Sequence, residues 1–418
     1  MGFRFLHAAD IHLDSPLRGL GRYEGAPVEE IRNATRRAFV NLVDLAIDER
    51  VAFVLLAGDI YDGDWRDYNT GLFFVEQAAR LGREGIRVYL ISGNHDAASQ
   101  ISRTLRYPDN VHVFPVDRPD TVRLEALGVL IHGQGFAARV VSDNLATGYP
   151  QGETGWLNIG MLHTSLDGRP GHEPYAPCTV DDLRSRGYQY WALGHVHQRE
   201  VISQRPWIVF PGNPQGRHIR ETGARGCTLV TVTGGDIVEV AHSDLDVLRW
   251  SCGRVDVSGA GTPEDVLDRT GPVIEREFDQ GGGRILALRL EIVGACDAHG
   301  ALHAAPDRWR QQIRAQSLSF GSLWVERIRF DTRPSGAENQ APEGPLAALL
   351  GDLDELVPDE EDLVRYASEF AELRRKLPPD LFAGEDVPDP ATAQAVKALL
   401  DDARALLADR LLSRGTGE

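Results

Sequence analysis

The sequence is poor in residue types that would point to a disulfide-rich or redox protein. Its 418 residues include only 4 cysteines, and no two of them have the CxxC spacing of a zinc or redox site. We therefore expect Cys178, Cys227, Cys252 and Cys296 to be ordinary thiols in a reducing compartment. A chain of this length can bury a large core without disulfides, and its length predicts two or three domains.

Long apolar runs are also absent. No stretch approaches the ~18–20 apolar residues that a bilayer-spanning helix needs. The first apolar run leads directly into Asp10 and His12, so the sequence has no segment typical of a signal peptide. We therefore expect a cytoplasmic protein.

An excess of positive charge is lacking as well. The formal net charge of -18 argues against a uniformly basic surface for nucleic acid. However, residues 338–418 hold about 19 acidic and about 8 basic residues, so much of this charge lies in the last fifth of the chain. Lysine occurs only at Lys376 and Lys397. The preference for arginine has two explanations, a GC-rich genome or the value of a guanidinium for binding phosphate.

The sequence does contain buried strands that are each followed by polar residues. Strands are predicted at 3–8, 51–57 and 86–91, with helices at 29–50 and 69–84 between them. The three strands are followed by Asp10-x-His12, Gly58-Asp59 and Gly93-Asn94-His95-Asp96. Parallel α/β sheets collect such residues at the carboxyl ends of their strands. The sequence therefore predicts that these three segments meet at one edge of a sheet.

Two further predicted strands also end in histidine. Residues 156–162 lead to His163, and residues 190–193 lead to Gly194-His195-Val196-His197. A glycine- and proline-rich loop follows at 211–218, and a β-hairpin is predicted around Gly234-Gly235. His218, on that loop, either contacts substrate or lies at the surface.

The donor atoms of these segments suit a pair of divalent metal ions. Aspartate, asparagine and histidine together are typical of sites for manganese, iron or zinc. Two metals ~3.5–4 Å apart are a recurring device for phosphoryl hydrolysis. Asp59 is the natural shared ligand, because a carboxylate has two oxygens. We expect His95 to act on the reacting phosphate and Asp96 to hold its ring. Each segment alone could be a turn or a cap, but all five in this order favour a metal site.

These segments resemble the five motifs of the calcineurin-like metallophosphoesterase family. The longer stretches 9–16, 58–65, 162–165 and 211–218 resemble its DNA repair exonuclease branch, the SbcD- and YhaO-type bacterial nucleases. The resemblance covers residues of about 3 to 245. It implies that one metal takes Asp10, His12, Asp59 and His197, and that the other takes Asp59, Asn94, His163 and His195. It also implies Mn²⁺ as the usual metal and His95 as the residue that contacts the scissile phosphate.

The resemblance further implies a fold and partners. The fold class is α/β (α+β, four-layer), a β-sandwich flanked by helices, with a small α+β cap domain and a helical C-terminal tail. The expected division is a catalytic domain at 1–248, a cap at 249–333, a linker at 334–342 and an acidic helical segment at 343–418. Implied partners are DNA, an SMC-like (SbcC/YhaN-type) ATPase bound by the tail, and a second copy of the chain in a homodimer. One position departs from the archaeal and eukaryotic pattern, because Asp62 replaces a second histidine.

Three functions fit the sequence. The first is a manganese-dependent DNA exonuclease or endonuclease with an ATPase partner, which the arginine-rich second region and the helical tail favour. The second is a phosphodiesterase for nucleotides or other small molecules, because the same metal site does not identify the alcohol on the phosphate. The third is a scaffold with a degenerate metal site, against which the full set of ligands argues. The leucines of the tail either bind a partner or pack on the catalytic domain.

Overall fold

The computed structural model describes residues 2–15, 27–62, 68–98, 105–166, 175–335, 358–376, 389–397, 399–400, 403 and 407. By compactness the chain divides into two units. The first unit comprises 1–253, 274–290 and 317–327, and the second comprises 254–273, 291–316 and 328–418. In these described ranges, no helix combines the length and apolar character that crossing a membrane requires.

The first sheet has six strands in the order β12-β11-β1-β2-β3-β4. Strands β1 to β4 are parallel and span Gly2–Ala8, Phe53–Ala57, Arg87–Ile91 and Val111–Val113. The predicted hairpin is present as β11 (Gly226–Thr233) and β12 (Asp236–Asp244), and β11 pairs antiparallel to β1. The predicted parallel arrangement of the first three strands is therefore confirmed.

The second sheet also has six strands, in the order β5-β6-β7-β8-β10-β9. Its strands are Asp120–Leu124, Val129–Gly133, Leu157–His163, Tyr190–Gly194, Glu200–Gln204 and Trp207–Phe210 for β5 to β10. Strands β6, β7, β8 and β10 are parallel, while β5 and β9 pair antiparallel at the two edges. The strands that lead to His163 and His195 are thus neighbours in the second sheet.

The two sheets pack face to face and helices cover their outer faces, which gives four layers. The inner layer of side chains includes Phe5, Phe53, Tyr89 and Tyr190, all buried. Helices α2 (Ala34–Asp48) and α3 (Tyr68–Arg83) cover the first sheet through residues such as Phe39 and Phe74. Helix α5 (Val180–Arg184) and a 3-10 turn (Leu145–Gly148) cover the second sheet, where Trp191 is buried. The expected β-sandwich flanked by helices is confirmed.

One helix differs from its sequence-based prediction. The apolar spacing predicted a single helix over 29–50, but α1 (Val28–Arg32) ends at Arg32 and α2 begins at Ala34. Asn33 is both the C-cap of α1 and the N-cap of α2. The side chain of Asn33 makes no capping hydrogen bond, and its φ of -89° and ψ of -2° interrupt the helical geometry for one residue.

A third sheet has three strands in the order β13-β14-β15, which span Leu248–Asp256, Ile285–Cys296 and Leu323–Pro334. Three helices separate these strands along the chain: α6 (Pro263–Gln280), α7 (His299–Ala304) and α8 (Pro306–Ser317). The domain boundaries at 248/249 and 333/334 remain predictions. In the tail, α9 (Glu360–Glu369) and α10 (Ala371–Lys376) are described. Most of the expected linker at 334–342 and the leucines at 349–356 lie outside the described residues.

Candidate metal centre

The strand ends of both sheets converge on one buried cluster of donor atoms. Oδ2 of Asp59 lies 3.4 Å from Nε2 of His163 and 3.9 Å from Nε2 of His12. Nε2 of His163 also lies 3.0 Å from Oδ1 of Asn94, which begins the short helix α4 (Asn94–Ala98). β1, β2, β3 and β7 therefore bring together the residues that the sequence predicted would meet.

The remaining predicted ligands join the same cluster. Nε2 of His197 lies 3.3 Å from Nε2 of His12 and 3.9 Å from Oδ1 of Asp10. The backbone N–H of His195 donates to both carboxylate oxygens of Asp10, and its ring meets the His163 ring edge-on at 5.3 Å. Asp10, His12 and His197 form one group with mutually close ligand atoms, and Asp10, Asp59 and His163 form another.

The backbone at these positions is unusual. Asp10, His12 and Asp59 have positive φ angles of 54°, 46° and 55°, and His195 has a φ of 100°. L-residues other than glycine rarely adopt this region, because the Cβ atom crowds the backbone. Hydrogen bonds hold the turns in place, since Asp10 N–H donates to the carbonyl of Gly58 and His12 N–H donates to that of Asp59, each at 3.0 Å. The turns bring the candidate ligand side chains together in one cluster.

Glycines next to the ligands allow this close approach. A Cβ on Gly93 would lie 2.2 Å from Oδ1 of Asp59, and one on Gly194 would lie 1.9 Å from the carbonyl oxygen of Ala57. Gly58 has a φ of +94°, and a Cβ there would lie 2.5 Å from Nδ1 of His163. No larger residue fits these positions without moving a ligand or its support.

Burial and mutual charge shift the pKa values of the cluster in opposite directions. Burial lowers the pKa of His12 to about 3, with help from the cation of Arg217. Burial alone would also lower the pKa of His163, but the carboxylates of Asp59 and Asp10 raise it to about 9. Burial would raise the pKa of Asp59, yet His163 and His12 hold it well below its usual range. The metal-free cluster therefore holds protons that a cation would displace.

His95 lies beside the cluster with its ring partly open to solvent. Its backbone N–H donates to Oδ1 of Asp59 at 2.9 Å, and its ring lies 4.8 Å from that of His12. Nδ1 of His95 contacts Oδ1 of Asp62 at 2.9 Å, while its side chain remains 32% exposed. Burial lowers the pKa of His95, but Asp62 and Asp59 outweigh this and raise it. The ring is thus fixed on one side and accessible to a substrate.

The carboxylate that holds His95 is not the one expected from the sequence. Asp96 was expected to hold the ring, but its Oδ1 accepts from the backbone N–H groups of Ile60 and Tyr61 at 2.9 and 3.0 Å. Its Oδ2 accepts from the N–H of Gly93 at 3.0 Å. Asp96 therefore ties the ends of β2 and β3 together, and burial with the nearby charge of Asp59 raises its pKa to about 7.

Sequence reasoning missed a second supporting residue, Glu221. Its Oε1 lies 2.6 Å from Nδ1 of His197, and its Oε2 accepts from Asn213 and from the backbone N–H of Arg217. The sequence indicated the 211–218 loop and named His218 as its candidate contact, but it did not indicate Glu221. His218 is 52% exposed, with Nε2 at 3.6 Å from Oε1 of Glu221. The available signal was a carboxylate just beyond the 211–218 loop.

The donor set fits divalent metal ions. It combines carboxylate and amide oxygens with imidazole nitrogens, the mixture that suits manganese, iron or zinc better than calcium. The buried carboxylates of Asp10 and Asp59 need compensating positive charge, because unpaired buried charges are costly. Both are at most 1% exposed.

Comparisons with known proteins agree with this geometry. A family model described as "Calcineurin-like phosphoesterase" matches residues 3–199. A second, described as "Metallophosphoesterase YhaO, middle domain", matches residues 250–333.

Individual relatives of the chain are described as a metallophosphoesterase or as DNA repair proteins. The chain is 41% identical over 260 residues to the "Uncharacterized metallophosphoesterase YhaO" of Bacillus subtilis, which covers 61% of this chain and 64% of that protein. It is 25% identical over 416 residues to the "DNA double-strand break repair protein Mre11" of Methanopyrus kandleri, which covers 90% of this chain and 84% of that protein. A protein of the same description from Sulfurisphaera tokodaii is 25% identical over 264 residues, covering 59% and 64%. The alignment thus spans just under two thirds of the Bacillus and Sulfurisphaera proteins.

Proposed function

We propose that this chain, whose residues 3–199 match the calcineurin-like phosphoesterase model and hold the candidate site of a metal-dependent hydrolase, hydrolyses DNA phosphodiester bonds. We propose exonuclease action in DNA repair, with endonuclease action as a second mode. The observation that carries the proposal is the convergence of Asp10, His12, Asp59, Asn94, His163 and His197 beside the partly exposed ring of His95.

The proposed chemistry divides between the metal ligands and His95. Two divalent ions, with Mn²⁺ as the proposed metal, would polarise a phosphate and activate a water. Asp10, His12, Asp59, Asn94, His163, His195 and His197 are the proposed ligands. Asp62 occupies Nδ1 of His95, which leaves Nε2 to contact the phosphate or to give a proton to the leaving oxygen. Asp96 supports the loop that carries Asn94 and His95.

DNA as the substrate draws support from two directions. Relatives that align along much of the chain are described as DNA double-strand break repair proteins. The second unit also presents arginine side chains, and Arg254, Arg329 and Arg333 are exposed. Guanidinium groups on a surface suit the phosphates of a nucleic-acid backbone. The proposed role of these arginines is to hold DNA.

The tail is the proposed docking segment for an SMC-like ATPase of the SbcC/YhaN type. Apolar side chains on its described parts are exposed: Val364 by 57%, Phe370 by 38%, Leu399 by 45% and Leu407 by 48%. Exposed apolar groups on helices suit a partner helix, as in a coiled coil. A homodimer through the catalytic unit is also proposed, because α3 exposes Tyr68 and Leu72, one turn apart, by 62% and 61%.

The decisive experiment combines DNA cleavage with metal analysis. Purified protein with Mn²⁺ is assayed on DNA ends and hairpins, and His95→Ala is expected to lower kcat by at least about 100-fold while it still binds metal. Unchanged cleavage by His95→Ala would remove His95 from its assigned role. Turnover of small phosphodiesters by a protein that fails to bind DNA at low salt would instead favour the small-molecule phosphodiesterase.

A further inference from the structure

We propose that Glu221 is a positioning residue that makes the metal position served by His12 and His197 bind its ion more tightly than the neighbouring position. The inference rests on the proposed function only in assuming that the site holds two divalent ions. It assigns a role to a residue outside the five ligand motifs.

The carboxylate of Glu221 is rigidly held against His197. The residue is only 5% exposed, and Oε1 lies 2.6 Å from Nδ1 of His197. The other oxygen, Oε2, accepts from Nδ2 of Asn213 at 2.9 Å and from the backbone N–H of Arg217 at 2.7 Å. Because these donors fix Oε2, the carboxylate presents Oε1 to the imidazole as an acceptor.

This contact decides which nitrogen of His197 can bind a cation. A proton on Nδ1, donated to Glu221, leaves the lone pair on Nε2. Nε2 is the atom that faces the cluster, at 3.3 Å from Nε2 of His12 and 3.9 Å from Oδ1 of Asp10. A carboxylate partner also raises the basicity of a ligating imidazole, and its loss typically costs about 10- to 100-fold in metal affinity.

At the neighbouring position, the described acceptor behind His163 is a backbone carbonyl and not a carboxylate. Nδ1 of His163 lies 2.9 Å from the backbone carbonyl oxygen of Ala57, which is a neutral acceptor. Nε2 of His163 faces the neutral amide oxygen of Asn94 at 3.0 Å and Oδ2 of Asp59, the carboxylate that both proposed positions share, at 3.4 Å. A neutral acceptor raises imidazole basicity less than a carboxylate does, and a neutral ligand attracts a cation less than Asp10 does. The two positions are therefore unequal.

A substitution at Arg217 can show whether Glu221 acts through its charge or through the structure of its loop. Nη2 of Arg217 lies 3.3 Å from Nδ1 of His197 and 3.7 Å from Oε1 of Glu221. Its positive charge opposes a cation at the His197 position, whereas the negative charge of Glu221 favours one. Neutral substitutions at the two residues should therefore change metal affinity in opposite directions.

The test is calorimetric titration of Mn²⁺ into the full-length protein after metal removal. For the wild-type protein we expect two binding events of different affinity. Glu221→Gln should weaken the tighter event about 10- to 100-fold and leave the other unchanged, while Arg217→Gln should strengthen the tighter event. Glu277→Gln is the matched control, because Glu277 is also buried but contacts Ser251 and Arg276.

Three results would overturn the inference: equal affinity of both events in the wild-type protein, no effect of Glu221→Gln, or equal weakening by Glu221→Gln and Arg217→Gln. The wild-type titration needs no variant, so the inference stays testable if Glu221→Gln fails to fold. Calorimetry also needs no turnover. A wild-type protein that binds two unequal ions but cleaves no DNA would defeat the proposed substrate alone.

Discussion

At the scale of single residues, the contact between Asp62 and His95 orients a partly exposed imidazole, the one that is proposed to meet the substrate. Oδ1 of Asp62 holds Nδ1 of His95, and Oδ2 accepts from the hydroxyl of Ser15 at 2.6 Å. The departure from a two-histidine pattern thus replaces one imidazole with a carboxylate that orients the other. Asp62 is a positioning residue in this scheme.

Asp62→Asn should lower kcat by about 100-fold, because the neutral amide neither fixes the tautomer of His95 nor raises its pKa. The measurement is steady-state DNA cleavage at saturating Mn²⁺, with metal content determined on the same sample. Asp120→Asn, on an exposed carboxylate of β5, serves as the control. A variant with normal kcat and normal metal content would show that Asp62 has no part in orienting His95.

Metal binding should depend on pH through His163. Its pKa of about 9 in the metal-free protein means that it carries a proton at pH 7, and a metal ligand must be neutral. Each ion bound there should release one proton, so affinity should rise about tenfold per pH unit between roughly pH 7 and 9. Titrations in buffers of different ionisation enthalpy measure this proton release. A pH-independent affinity across that window would contradict it.

The candidate ligands could be predicted from the sequence, whereas the residues that hold the imidazole rings in place could not. Asp10, Asp59 and His163 follow buried strands, and strand ends meet by a general rule of parallel sheets. Glu221 and Asp62 lie on loops, and only the folded path of the chain decides which imidazole they reach. The expectation for Asp96 failed for the same reason, because adjacency to His95 in sequence said nothing about where its oxygens point.

At the scale of elements, the strand ends approach one another so closely that glycine is required between them. A Cβ on Gly194, at the end of β8, would overlap the carbonyl oxygen of Ala57 at the end of β2. These two strands belong to different sheets. Gly194 therefore sets how near the two sheets lie at the metal centre.

Gly194→Ala should lower the free energy of unfolding by about 1–3 kcal/mol, because overpacking forces the backbone to shift. It should also reduce the metal content, since Ala57 supports His163. Urea denaturation and elemental analysis measure the two effects. Gly148→Ala is the control, because its nearest neighbour would be Pro119 at an ordinary 3.6 Å. Wild-type stability and metal content in Gly194→Ala would contradict the close approach.

Most elements of the fold could be read from hydrophobic periodicity. The hairpin of β11 and β12 and the parallel strands β1 to β3 follow from the sequence. The break at Asn33 could not be predicted, because α1 and α2 share a continuous apolar spacing. The pairing of β11 with β1 could not be predicted either, because it joins residues that are far apart in the sequence.

At the scale of the whole molecule, the proposed division of labour separates catalysis from partner binding. All seven proposed ligands lie in the first unit, while residues 328–418, which include the tail, belong to the second. The cluster contains no side chain from the described parts of the tail. The tail should therefore be dispensable for the chemistry.

Truncation after Ser335 should leave metal content and hydrolysis of a small nitrophenyl phosphodiester within about twofold of wild type, because the proposed ligands are untouched. The same truncation should abolish co-purification with the SMC-like ATPase partner. Charge-preserving replacement of exposed Val364 and Phe370 by serine tests the partner surface without removing the segment. Retained complex formation in both variants would exclude the tail as the docking segment.

The left-handed turns at Asp10, His12 and Asp59 link the lifetime of the protein to its cations. Non-glycine residues in that conformation cost on the order of 1–3 kcal/mol each, and the turns also gather buried carboxylates. Binding of the proposed ions would offset this cost, because a ligand that binds only the folded state stabilises it. If the proposed divalent ions bind here, a cell that lacks them would lose this protein gradually, because proteases would degrade the less stable ion-free form first.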